Sequence, residues 1–387
     1  MQATLERPSS AGKTSHPETA APAVSAKNSA PASVADREVR FEHSANLASL
    51  LDSINASVIV STYQAGKLVV VGSHQERVTQ SFHNFDRPMG VAIHNDSMAV
   101  ASRDRVWFLS SAPEIAPEMP PRGTFDACYL TRRAQLTGEV QAHEIGWADD
   151  ELWIVNTAFS CLCTLDDRYN FVPRWKPRFI SQLAPEDRCH LNGMAIENGQ
   201  LKYVSAMSET DVKGGWRPNK VTSGCLIDVA SEETVARGLA MPHSPRVHNG
   251  AVYLLDSGRG ELVTVDVETG SWDTVARLPG YTRGLDFVGD YAVIGLSKIR
   301  ETSTFGGVPI AEKRDELRCG FAVVDLRSGR TVSRYEFQSG VDEIFAITAV
   351  QESRTVSLRG PYLEQDGYGA VWRIPTSGLA LNSSRHA

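Results

Sequence analysis

The sequence predicts an all-β fold, a β-propeller of about six four-stranded blades preceded by a disordered N-terminal tail. Two repeats and one absence carry the prediction. A strand–turn–strand unit recurs with His or Arg at its head: His143-Glu-Ile-Gly-Trp, His190-Leu-Asn-Gly-Met, His243-Ser-Pro-Arg-Val, Arg87-Pro-Met-Gly-Val and Arg283-Gly-Leu-Asp-Phe, with Asp342-Glu-Ile-Phe as a sixth start. A second unit, an apolar strand closed by Asp and a Gly turn, recurs in Leu262-Val-Thr-Val-Asp-Val-Glu-Thr-Gly and Phe321-Ala-Val-Val-Asp-Leu-Arg-Ser-Gly. The starts fall at intervals of roughly 40 to 60 residues, near the blade period. Amphipathic helical periodicity is scarce between them, which argues against alternating strands and helices.

Along the chain, residues 1–42 are rich in Ala, Ser and Pro and nearly free of aromatics, so they are expected to be a tail without a core. Residues 43–375 form the propeller. The strands Ala56-Ser-Val-Ile-Val-Ser and Lys67-Leu-Val-Val-Val-Gly precede the first Arg-led repeat. They are expected to share a blade with the segment from Asp342 to Pro375, sealing the ring and removing free edges. Residues 376–387 read as a flexible C-terminus.

The chain has 387 residues, 42% of them hydrophobic, and a net charge of −7 without a long single-sign block. Such a charge distribution is wrong for a general nucleic-acid surface. No apolar run approaches the ~20 residues that span a bilayer, so no membrane partner is expected. The N-terminus lacks a secretory h-region and six cysteines are too sparse for a disulfide scaffold, which together imply a cytoplasmic location.

Propeller topology places the candidate site. Inner strands all begin at one mouth of the central channel, and the loops from second to third strands return to that face. Arg87, His143, His190, His243, Arg283 and Asp342 or Glu343 are therefore expected around one opening. Two long loops, 209–220 and 298–314, overhang it with Trp216, Arg217 and Phe305. The histidines suit general acid–base catalysis or a divalent transition metal, with Glu144 or Glu343 as a further ligand. Arg87, Arg246 and Arg283 suit a carboxylate or phosphate, or else internal ion pairs with Asp286, Asp342 or Glu343. Cys161 and Cys163 share a strand face and read as packing. Cys189 adjoins His190, but neighbouring strand residues point to opposite sides, which disfavours a Cys–His nucleophile. Ser61-Thr-Tyr-Gln-Ala-Gly-Lys67 lacks the spacing of a phosphate loop.

The strings Ser61-Thr-Tyr-Gln-Ala-Gly-Lys-Leu, His143-Glu-Ile-Gly-Trp, Cys189-His-Leu-Asn-Gly-Met-Ala, Pro242-His-Ser-Pro-Arg and Gly280-Tyr-Thr-Arg-Gly-Leu-Asp resemble a bacterial family of conserved, largely uncharacterised proteins, from about Glu42 to Pro375. More distantly the layout is similar to gluconolactonase-like and strictosidine-synthase-like propellers, without a residue-by-residue match to their catalytic patterns. Two function classes follow. One is an enzyme, metal-assisted or acid–base, acting on a small anionic metabolite or peptide at the His/Arg mouth. The other is a non-catalytic propeller that binds a peptide or protein on the same face.

Overall fold

The computed structural model describes residues 38–299 and 306–375, and in them the strands form six sheets. Residues 1–37 and 376–387, the bulk of the expected tail and the loose C-terminus, lie outside the described residues, as does Phe305. The six sheets are the blades of a β-propeller. From the channel outward, blade 1 is Ala346–Gln351, Ala56–Ser61, Lys67–His74 and Arg77–Asn84, and blade 2 is Val91–His94, Ser97–Ala101, Arg105–Ser111 and Ala127–Leu136. Blade 3 is Ala142–Ala148, Glu151–Asn156, Cys161–Thr164 and Val172–Trp175, and blade 4 is Leu191–Glu197, Gln200–Ala206, Gly224–Asp228 and Thr234–Leu239. Blade 5 is Pro242–His248, Ala251–Asp256, Glu261–Val265 and Trp272–Arg277, and blade 6 is Tyr281–Val288, Tyr291–Ser297, Gly320–Asp325 and Arg330–Phe337.

The repeat forms hairpins because its turns supply the required backbone. Asn198-Gly199 and Asn249-Gly250 both sit at positive φ (51° and 77°, then 50° and 77°), the twist that joins adjacent antiparallel strands. Alternation then sends every second side chain into the seam between blades. Each seam is an apolar cluster with members from two neighbouring blades. Ile59, Leu68 and Val70 meet Met98 and Leu109 between blades 1 and 2. Leu255 and Leu262 meet Leu285 and Ile294 between blades 5 and 6. Val293, Phe321 and Val323 meet Val58 and Val69 where the ring closes, and there the short helix Leu47–Ser53 adds Leu47 and Leu51. Burying each such side chain contributes about 1.5–3 kcal/mol.

Closure follows the expected plan in its first half. Ala346–Gln351 pairs antiparallel with Ala56–Ser61, so the last inner strand completes the first blade. Beyond it the chain departs from expectation. Asp126 accepts the backbone N–H groups of Arg354 and Thr355, each at 2.9 Å, which turns the chain away from blade 1. Val356–Arg359 then runs parallel to Ala127–Leu130 as a fifth strand of blade 2. The propeller also begins before residue 43, because Phe41–His43 pairs with Tyr335–Phe337 as a fifth strand of blade 6. Among the described residues no helix is long and apolar enough to cross a membrane.

Inner strands approach each other closely, and one glycine makes this possible at the closing seam. Gly284 has φ +80°, and a Cβ there would stand 2.4 Å from the Ile347 nitrogen. Only glycine meets both demands at that point.

Candidate ligand cavity at the channel mouth

Where the inner strands begin, the channel opens into a cavity of about 280 Å³. His143 and His243 are each the second residue of their inner strands, and His190 immediately precedes Leu191–Glu197. The three imidazoles of blades 3, 4 and 5 all line the cavity, as the repeat predicts. The His143 and His190 rings meet edge to face with centroids 4.7 Å apart. The Trp216 ring lies 4.4 Å from His190, and Tyr281 lies 5.7 Å from His243.

Hydrogen bonds settle which ring nitrogen carries the proton. His243 Nδ1 is 2.9 Å from the Met241 carbonyl, which can only accept, so Nδ1–H donates. The Ser257 hydroxyl oxygen lies at the same distance from that nitrogen. His143 Nδ1 stands 3.1 Å from the Gln141 carbonyl and 2.8 Å from Thr157 Oγ1, whose own hydroxyl donates to the Leu191 carbonyl at 2.5 Å. His190 Nδ1 meets the Asp187 carboxylate at 2.8 Å. With Nδ1 bound to the protein in all three rings, Nε2 is the nitrogen left to meet a ligand.

The backbone supports this arrangement at a cost. Gln141 and Met241, each two residues before its histidine, take left-handed φ of 52° and 53°, which aims their carbonyls at the rings. Asp187 and His190 also take left-handed φ, at 49° and 51°. A left-handed non-glycine residue costs roughly 1–2 kcal/mol. Strain of this kind collects at functional sites.

Burial, reinforced by neighbouring His190 and Arg283, pulls the His143 imidazole well below its usual 6.5. His243 is lowered well below the same value by burial, then by Arg283 and His190. Both rings are therefore neutral at physiological pH, with Nε2 as a lone-pair acceptor. Burial also lowers Arg283 from 12.5, which still leaves it charged. Its guanidinium lies 3.4 Å from the Phe345 ring centroid and 3.5 Å from a Glu343 carboxylate oxygen. Phe345 in turn contacts Tyr63 and His143, with centroids at 5.3 and 5.2 Å, forming an aromatic wall. Burial raises the Tyr281 phenol, so it stays protonated.

The loop after the second strand of blade 4 covers the mouth, as its topology requires. Trp216 is 1% exposed and donates from Nε1 to Asp187 at 3.0 Å. Arg217 sits over the Trp216 ring at 4.5 Å and reaches the same carboxylate at 3.5 Å, half exposed to solvent. From blade 6, Ile299, Val308 and Ile310 pack with Met207, Trp216 and Tyr281.

Arg87, Glu144 and Arg246 lie outside this cavity, and of Asp342 and Glu343 it is Glu343 that lines it. Arg87 is exposed on a left-handed turn (φ 49°), its guanidinium 6.0 Å from the Tyr63 ring, and Met89 takes the cavity position. Glu144 and Arg246 form an ion pair deeper in the channel. Glu144 also accepts the Met194 N–H at 3.0 Å, and Arg246 donates to the Met194 carbonyl at 3.1 Å. The pair ties blades 3, 4 and 5 together, and Arg246 takes Glu144 as partner in place of Asp286, Asp342 or Glu343. Burial raises the Glu144 carboxyl despite Arg246. Asp342 is half exposed and stands 3.9 Å from Lys298, away from the cavity lining. The divalent-metal reading finds no support in the geometry either. Among the described residues no group of three or more His, Cys, Asp or Glu side chains is placed to hold an ion. Cys161 and Cys163 pack in the seam of blades 2 and 3. Cys189 is buried between blades 3 and 4, its thiol pushed up to about 12 by burial.

Residues 45–358, which include every residue of the cavity, match the family described as "Domain of unknown function (DUF4915)". The chain belongs to the DUF4915 family. A search of curated proteins gives no match. Among solved structures, the DUF4915 chain is similar to a chain in the "Crystal structure of Nidogen/Laminin Complex", with 8% identity and a TM-score of 0.47. The overlap covers 77% of this chain and 99% of that one.

Three residues of this candidate site escape the reading by repeats. Asp187 holds His190, but lies in the irregular link between blades and belongs to no repeat. Thr157 and Ser257 bind the Nδ1 edges of His143 and His243. They do leave a sequence signal: each is a hydroxyl residue fourteen positions after its histidine.

Proposed function

We propose that the mouth cavity binds a small organic anion and carries out acid–base chemistry on it. The carrying observation is that three imidazoles from successive blades, each with Nδ1 engaged by the protein, share one cavity at the channel mouth with a buried guanidinium. A volume of about 280 Å³ corresponds to about nine water-sized volumes, which suits a small metabolite better than a folded partner's surface. Arg283 has five N–H donors and is the anchor for a carboxylate or phosphate. The Nε2 atoms of His143 and His243 accept hydrogen bonds, which favours an anion that also bears hydroxyl or amino donors.

His190 is the acid–base group in this reading. Asp187 orients its ring and supports an imidazolium, the role a carboxylate plays behind any catalytic histidine. Among the described residues lining the cavity there is no Ser or Cys, so proton transfer fits better than covalent catalysis. The test is ligand-observed NMR with a panel of small hydroxy- and aminocarboxylates, using the protein and its Arg283→Gln variant. Binding of panel members by the parent and a loss of ten-fold or more in Arg283→Gln support the reading. Equal binding by a folded variant sinks the anion anchor, and turnover lost in His190→Ala with binding retained assigns the acid–base role.

A further inference from the structure

Far from the channel, on the flank of blade 1, a hydroxyl, an imidazole and a carboxylate stand in series. Ser81 and His83 occupy alternate positions of the outer strand Arg77–Asn84 and so share a face. Ser81 Oγ is 2.8 Å from His83 Nε2. The third group comes from the segment after Val356–Arg359, which brings Asp366 back over blade 1. Its Oδ1 accepts the backbone and side-chain N–H groups of Asn84 at 2.8 and 2.6 Å. This anchoring turns Oδ2 toward His83 Nδ1, 3.8 Å away.

Two features suggest more than a local clasp. His83 Nδ1 and Asp366 Oδ2 are both buried, and neither has a hydrogen-bond partner, although they face each other. A small closing movement satisfies both and completes the series, and catalytic hydrogen bonds commonly tighten only when substrate is present. Exposure is also graded in the useful direction: His83 is fully buried beneath Tyr368, whose ring stacks on it at 5.9 Å, while Ser81 is partly open. Lys67 and Arg359 are near enough for their charge to act on His83, and the same field favours negative charge developing beside Ser81.

We propose that Ser81 is a nucleophile, with His83 as its general base and Asp366 orienting the ring, that accepts acyl or phosphonyl groups from small activated esters. Ser81 Oγ attacks the carbonyl carbon as its proton passes to His83 Nε2. The bond to the leaving alkoxide then breaks, and that oxygen takes the proton from His83. Water attacks the acyl-Ser81 with His83 again as base, releasing the carboxylic acid and restoring the hydroxyl. With a fluorophosphonate the first step forms P–O and breaks P–F, fluoride departs, and His83 passes its proton to solvent.

Protonation states suit this use. Burial lowers His83 below 6.5 in spite of the facing Asp366, so the ring is an unprotonated base at neutral pH. Burial works to raise Asp366, but the facing His83 ring and the N–H groups of Asn84 outweigh it and hold the carboxyl below 3.8.

The experiment treats the full-length chain with an alkyl fluorophosphonate and reads intact mass, followed by peptide mapping. The expected result is one adduct, on Ser81, absent from Ser81→Ala. In Asp366→Asn the labelling rate falls by about 100-fold or more, the range general-base catalysis supplies. The rate should be flat above neutral pH and fall as pH drops below 6.5. No adduct on the folded parent chain, or one that persists in Ser81→Ala, overturns the proposal. Labelling of folded Asp366→Asn at the parent rate removes Asp366 from it.

Discussion

His243 is 4% exposed, and its ring is held in a fixed tautomer by the Met241 carbonyl and Ser257. Its folded-state pKa lies well below 6.5, whereas the unfolded chain protonates it near that value. The unfolded state therefore binds more protons in acid. The stability this neutral ring contributes is complete above pH 6.5 and is lost as pH falls toward the folded pKa. Integrating the proton-binding difference from pH 7.5 to pH 5.5 gives at most about 1.4 kcal/mol for one such histidine, the full amount when the folded ring takes up no proton over that range. His143 acts in the same direction. His243→Asn keeps an N–H where Nδ1 lies and removes the titration. Urea unfolding of both proteins at the two pH values measures the effect. The parent should lose more than the variant on acidification, by up to about 1.4 kcal/mol. Equal losses would mean that His243 accepts a proton in place, and the neutral-acceptor account of the cavity would be wrong.

Two further outcomes concern the ring. Arg246→Met leaves Glu144 buried without its partner and should cost about 3 kcal/mol, while Glu144→Met combined with Arg246→Met should come back to within about 1 kcal/mol of the parent in urea unfolding; equal damage in both would show that the two groups do not act as a pair. Gly284→Ala forces a methyl against the Ile347 nitrogen at positive φ and should cost about 3 kcal/mol, read as a lower urea midpoint at unchanged slope. An unchanged midpoint would mean that the closing seam has slack that its spacing denies.

The blades were legible in the sequence because hairpin repeats are local. The same few residues that make a strand, a turn and a return strand also fix which residue starts at the mouth. His143, His190, His243 and Arg283 follow from that phase alone. Where the local geometry departs from an ideal strand, phase stops being a guide. Arg87 precedes its strand by a left-handed turn, so the chain reaches the cavity at Met89. Arg246 lies beyond an irregularity between His243 and Arg246, which carries it down the channel to Glu144. Asp187 could not be found by repetition, since it serves one blade only and acts across a loop whose course depends on tertiary packing. The diversion of Val356–Arg359 to blade 2 rests on the long-range contacts of Asp126, which leave no trace in periodicity.

The most direct test of the cavity account is long-range ¹H–¹⁵N NMR of the protein with ¹⁵N-labelled histidine at pH 7, before and after adding small hydroxycarboxylates. The account predicts that His143 and His243 appear as neutral rings protonated at Nδ1, and that their Nε2 signals move on binding in the parent but not in Arg283→Gln. Rings protonated at Nε2, or charged rings, or Nε2 signals indifferent to every compound of the panel would contradict it.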